Sequence, residues 1–283
     1  MNKILLKILL LMLIASLFSG CIQPDAKDTP AGTLSLSTTT STCDTDLLDV
    51  LNARFEEENN VKVLTLCQGT GKAIATGEMG AADVVLVHAP SSELEAVERG
   101  SFIDRQFVMY NYFVIIGPVS DPANVTHAAS ATDAFTRIAD AQVPFISRGD
   151  NSGTHTKELG LWNETNITPQ GAWYQSVGKG MGDTIITADI KQGYTLSDRG
   201  TYLAMKDKIE LEVLFEKDKE FLYNPYHVMA VNPEKFPDVN YEMTLKYIEY
   251  LTSSEGQDLI QDYGMEEYGQ ALFIPANNTD EAV

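Results

Sequence analysis

Apolar positions along the 283-residue chain switch repeatedly between short β-like runs and helical spacing. Residues 33–37 read as a first strand. Residues 45–60 follow with Leu47, Leu48, Leu51 and Phe55 at helical spacing behind an acidic outer face. A second strand is expected over 61–66 and a third, buried one over 83–87. Ser92 and Glu95 form a capping box for a helix that ends at Gly100. Residues 112–116 make another apolar strand, closed by Gly117-Pro118. The pattern then restarts. Thr132 caps a short helix, 145–147 is a strand, 154–162 a helix, and a further helix begins at Thr184. Residues 194–197 lead into a helix through Ala204, and 213–215 is a strand. Residues 223–226 read as a turn, 227–231 as a strand, and helices follow around 241–251 and 254–263. This alternation predicts an α/β chain of two lobes, each a mostly parallel sheet flanked by helices. Crossings near Gly117 and Tyr223 assign residues 33–116 plus 224–283 to lobe I and 117–223 to lobe II, with a cleft between.

The first residues follow a different pattern. Lys3 and Lys7 precede an apolar run over 8–18, shorter than the roughly 20 residues a spanning helix needs, so residues 1–20 read as a signal peptide. Phe18-Ser19-Gly20-Cys21 is similar to a lipobox, with Phe18 where leucine is usual. Cys21 would then carry lipid and hold the chain at the extracytoplasmic face of the membrane, with 21–32 as anchor and flexible tether. A plain secretory signal with a chance cysteine is the alternative. With 20 basic and 40 acidic residues the net charge is −20. That argues against a nucleic-acid partner, and any bound anion must be held by local donors against the overall field. Cys43 and Cys67 remain after Cys21, either as one disulfide or as two buried thiols. Neither they nor the four scattered histidines fit a zinc pattern, and no metal held directly by protein ligands is expected.

Three strand-to-helix turns carry donor chemistry. Ser37-Thr38-Thr39-Thr40-Ser41-Thr42 follows the first strand, where free amides and hydroxyls together suit an anion; a capping role for Ser41 or Thr42 is the plainer reading. Ser147-Arg148-Gly149-Asp150-Asn151-Ser152-Gly153-Thr154 adds a guanidinium fork and two hydroxyls, Ser152 and Thr154. An Arg148–Asp150 ion pair would explain the same residues. Cys67-Gln68-Gly69-Thr70-Gly71-Lys72 fails a phosphate-loop pattern, because Leu66 and Ala73 stand at its required positions. It leaves Thr70 as a third donor or an ordinary turn residue. Thr195 could line the cleft or merely precede a helix. No G-x-S-x-G elbow, H-E-x-x-H, or S-x-x-K with its usual companions is present, so no catalytic residues and no cofactor are assigned.

Taken in order, Thr38-Thr39-Thr40-Ser41, Asp44 with Leu47-Leu48-Asp49, Gly69-Thr70-Gly71, the stretch from Ala82 to His88, Val108-Met109-Tyr110-Asn111, the stretch from Ser147 to His155, Gly178 to Gly182, Tyr194 to Tyr202 and Asn224-Pro225-Tyr226 resemble the tungstate-specific, Tup-type solute-binding proteins of ABC importers. The resemblance implies a type II periplasmic-binding fold closing over tungstate. It implies ligand contacts from Thr39, Thr40, Ser41, Thr70, Arg148, Ser152 and Thr154, and delivery to membrane permease and ATPase subunits by a monomer. Cys43 replaces an aromatic residue of the family pattern, and with Cys67 on the adjoining strand this departure favours a disulfide. A fully deprotonated tungstate, molybdate or sulfate only accepts hydrogen bonds, whereas hydrogen phosphate also needs an acceptor, which Asp150 could supply. Molybdate is nearly isosteric with tungstate, and the residues do not separate the two. A secreted hydrolase is the reading from a different class.

Overall fold

The computed structural model describes residues 30–277 except residue 217. The expected signal peptide, Cys21 and most of the tether lie outside these residues. No helix among the described residues is long and apolar enough to cross a membrane.

Strand β1 (Gly32–Thr39) runs into helix α1 (Thr40–Asp44) and, after a short break, α2 (Leu47–Asn59). Next come β2 (Val61–Gln68), α3 (Thr70–Glu78), β3 (Val84–Val87), α4 (Pro90–Glu98) and the 16-residue strand β4 (Phe102–Gly117). β1 lies between β2 and β3, parallel to both. The run Val84-Val85-Leu86-Val87 is apolar throughout because β3 is covered on both sides. Val84 and Leu86 enter one core with Leu34, Leu47 and Phe55, while Val85 and Val87 enter another with Ala73 and Phe102.

The second half supplies α5 (Ala131–Ala141), β5 (Phe145–Ser147), α6 (Gly153–Glu164), β6 (Tyr174–Ser176) and α7 (Met181–Lys191). It continues through β7 (Thr195–Asp198), α8 (Arg199–Met205), β8 (Glu212–Phe215) and α9 (Lys219–Leu222). The chain then returns along β9 (Tyr223–Val231) and ends in α10 (Tyr241–Thr252), α11 (Ser254–Asp262), α12 (Met265–Tyr268) and β10 (Ile274–Pro275).

β4 joins the lobes. Its first part pairs antiparallel with β9 and supplies Val108 and Met109 to the first core. Its last residues pair with β7 and β8 and point alternately into two cores of the second lobe, Phe113 and Ile115 to one side, Val114 and Ile116 to the other. The sheet order is β10-β4-β9-β3-β1-β2, with β7 and β8 on the far end of β4.

The parallel pairings are β1 with β2 and β3, and β5 with β6. β4 and β9 add antiparallel pairs, because each is a crossing that returns the chain. The strand expected over 112–116 is only the end of β4. Its earlier part is masked by the polar stretch Asp104-Arg105-Gln106, where the register shifts and Asp104 takes a φ of 51°. The turn expected at 223–226 is instead the start of β9, with Pro225 opposite Tyr110. The helix expected from Ser92 begins at Pro90, and Glu93 rather than Glu95 returns to its start, Oε1 accepting the Ala89 amide at 2.7 Å.

Candidate functional site

The three turns noted in the sequence meet where the lobes touch. In the first, Thr39 precedes α1 with an extended backbone and no side chain caps that helix. Thr38 donates to the Leu86 carbonyl at 2.8 Å and Thr42 to the Thr39 carbonyl at 2.8 Å, so these two hydroxyls hold the loop. Thr39 Oγ1 and Ser41 Oγ lie 3.0 Å apart, both essentially buried.

The turn after β5 brings Arg148, 2% exposed, against this loop. Its Nη2 donates to Thr40 Oγ1 at 3.2 Å and to Asp150 Oδ2 at 2.6 Å. Asp150 Oδ1 accepts the Ser152 amide at 3.1 Å. Burial alone would raise the Asp150 carboxyl, but the guanidinium and the Ser152 bonds hold it below the usual range. Gly149 makes the turn with φ +60°, and a Cβ there would run into Ser176. Ser152 Oγ accepts the His155 amide at 3.2 Å as the cap of α6.

The third turn contributes Thr70, whose Oγ1 accepts the Gly153 amide at 3.1 Å. That bond needs close approach: a Cβ on Gly153 would stand 2.8 Å from His88 Cε1 and 2.9 Å from Thr70 Oγ1. The disulfide Cys43–Cys67 links the end of α1 to β2 two residues before Gly69, tying the first and third turns together.

Among the described residues, Arg148 Nε and Thr154 Oγ1 are buried donors of this turn without a partner, as is Ser147 Oγ beside them. Leaving such groups unpaired away from water costs about 1–3 kcal/mol each, more for a charged one. Thr40, Thr70 and Ser152 each already accept an N–H, so each keeps its own proton to give. Thr195 is not part of this group. Its hydroxyl donates to the Ile146 carbonyl at 2.7 Å and fastens β7 to β5.

Acidic groups also stand close. Burial, then Asp198, lift the Asp44 carboxyl to about 6 against the lowering influence of Arg148. Burial raises Asp198 as well, although it accepts from Thr201 at the start of α8. A cavity of about 400 Å³, lined by His88, Phe113, Gly153, Lys157 and Asn224 among others, opens beside the turns. Among the described residues no group of three or more His, Cys, Asp or Glu could hold a metal ion.

The residue reading missed a buried set behind Ser41. His88 Nε2 lies 3.5 Å and Tyr226 OH 3.4 Å from Ser41 Oγ, and His88 stacks on Tyr226 with ring centroids 4.7 Å apart. These residues are separated by 138 positions, and no local spacing signals the meeting.

A two-lobed α/β chain whose hydroxyl and guanidinium donors converge between the lobes is a solute-binding protein of the periplasmic-binding class. Residues 24–255 match the PBP superfamily domain. The tungstate-binding protein TupA of Peptoclostridium acidaminophilum is 41% identical over 97% of this chain and 99% of its own length. TupA of Campylobacter jejuni is 37% identical over 83% of this chain and 87% of its own. The crystal structure of the tungstate ABC transporter from Geobacter sulfurreducens is 50% identical, covers 82% of this chain and 98% of that one, and superposes with a TM-score of 0.75. The chain belongs to the PBP superfamily and, within it, to the TupA family.

Proposed function

We propose that this chain captures tungstate between its lobes and delivers it to the permease and ATPase subunits of an ABC importer. It acts as a transport component, with no chemical step of its own. The observation that carries the reading is the pair of buried, unpartnered donors, Arg148 Nε and Thr154 Oγ1, in a setting where Thr40, Thr70 and Ser152 also have protons to give. Thr39 and Ser41 complete the donor set. Such a group suits an oxyanion that only accepts hydrogen bonds. Asp150 carries one hydrogen bond on each oxygen, from Arg148 Nη2 and the Ser152 amide, and so stabilises the turn. Molybdate would find the same donors, and tungstate is preferred on the strength of the relatives named above.

The lobes of this reading are 33–116 plus 224–283 and 117–223, with β4 and β9 as the joining strands, and the end of β4 from Phe113 to Ile116 already packs in the cores of the second lobe. A signal peptide over 1–20, lipid on Cys21 and a tether to residue 32 would keep a monomer at the extracytoplasmic face, within reach of the permease.

Calorimetric titration of the purified protein with tungstate, molybdate, sulfate and phosphate tests the function. Tungstate should bind far more tightly than sulfate or phosphate. Phosphate binding as tightly as tungstate would overturn the assignment.

A further inference from the structure

His88, Asn111, Asn224 and Tyr226 lie in motif stretches that the donor turns leave unused, yet they converge behind Ser41. Asn111 and Asn224 stand opposite each other on β4 and β9, the strands that join the lobes. Both are buried, at 3% and 1% exposure, and Tyr226 is fully buried.

The bonds among them run in one direction. Asn224 Nδ2 donates to Asn111 Oδ1 at 2.7 Å and to Tyr226 OH at 3.2 Å. Asn224 Oδ1 is then the acceptor that stands 2.7 Å from His88 Nδ1. An acceptor at that position requires the imidazole proton on Nδ1 and leaves Nε2 bare. Burial, the largest influence, pushes the His88 pKa down to about 4, so the ring carries a single proton. Asn111 Nδ2 is buried and has no hydrogen-bond partner among the described residues.

Tyr226, kept a phenol by burial and already accepting from Asn224, has its proton free for Ser41 Oγ. Ser41 then has one acceptor position filled and its own proton to give, with Thr39 Oγ1 3.0 Å away as the nearest hydroxyl. His88 Nε2, 3.5 Å away, is a second acceptor within reach of that proton.

We propose that Asn111, Asn224, His88 and Tyr226 form a polarised relay from the joining strands to the donor turn, which biases Ser41 toward donating its hydrogen bond to the ligand. They are thereby positioning and specificity-determining residues that favour a fully deprotonated oxyanion over a hydrogen-bearing one. This rests on the function proposed above and names the residues behind its selectivity.

Two measurements test it. In nitrogen-15 NMR of the purified wild-type chain, His88 should show a protonated Nδ1 and a bare Nε2; the opposite tautomer overturns the relay. The second measurement is the ratio of tungstate to hydrogen phosphate affinity, taken by calorimetry near pH 8 for wild type and Tyr226→Phe. Phenylalanine keeps the stacking on His88 and the edge contact with Phe273, whose centroid is 5.4 Å away. Without the phenol, both Ser41 lone pairs are open and the hydroxyl accepts more readily from the ligand's hydroxyl. The ratio should fall about tenfold, the equivalent of one hydrogen bond gained or lost. An unchanged ratio with tight wild-type tungstate binding refutes the relay alone. Absence of tungstate binding by the wild type refutes the function itself.

Discussion

Replacing Arg148 by alanine removes the one guanidinium among the donor turns. Its Nε has no partner among the described residues, while Nη2 serves Thr40 and Asp150. A charge-assisted hydrogen bond to a bound oxyanion contributes about 1.5–3 kcal/mol. The wider Coulomb attraction at an effective dielectric near 20 is about 4 kcal/mol per unit-charge pair at 4 Å. The second figure does not apply in full, because Asp150 sits 2.6 Å from the same cation and already neutralises much of it. Truncation also strands that carboxylate next to a dianion. Its pKa, held low by Arg148, then rises and relieves part of the repulsion. The net loss should be about 2–3 kcal/mol, or 30- to 150-fold in Kd. Titration calorimetry with tungstate reads it, and the melting temperature without ligand shows whether the variant is folded. The double variant Arg148→Ala/Asp150→Asn should recover part of the loss, which separates the missing cation from the stranded carboxylate. A folded Arg148→Ala protein with wild-type affinity would remove Arg148 from the site and with it the main support for the oxyanion reading.

Two further expectations concern stability. Replacing Cys43 and Cys67 by serine opens a loop closed across 24 positions and should cost about 3 kcal/mol in urea unfolding; tungstate affinity should weaken as well, since the bridge ties two donor turns, and a variant as stable as wild type would show that the bridge adds nothing. Glu158, 2% exposed, is lifted to about 7 by burial, against the lowering effect of its bonds with Tyr174 and Trp162. Because the unfolded chain releases this proton near pH 4.5, stability should be full below that pH and fall as the pH rises to about 7. Above that, a constant penalty of about 3 kcal/mol remains. Glu158→Gln should therefore raise the melting temperature at pH 8 and leave it nearly unchanged at pH 4; equal effects at both would refute the assignment.

The chemistry of the site was legible where it is local. Thr39 to Ser41, Arg148, Ser152 and Thr154 stand at strand-to-helix turns, and such turns have free amides whatever the rest of the fold does. The same locality misled the reading of Thr195, whose turn looked equivalent but whose hydroxyl is used by the Ile146 carbonyl of a strand 49 positions away. It also misled the reading of Tyr223 to Tyr226, where Asn-Pro suggested a turn and pairing with β4 made a strand. Both choices between Arg148 as ion-pair partner and as free donor proved compatible, because one guanidinium has separate edges.

The sequence by itself determined most element types, the two-part α/β plan, the candidate donor residues and the family, because each follows from short-range periodicity, turn chemistry or contiguous motifs. Only the tertiary structure decided strand direction across β4 and β9, which hydroxyl protons remain free, and how His88, Asn111, Asn224 and Tyr226 assemble behind Ser41. Those are properties of pairs far apart in the chain. A hydrogen bond's direction depends on what fills the other side of each group, and no single stretch of residues carries that information.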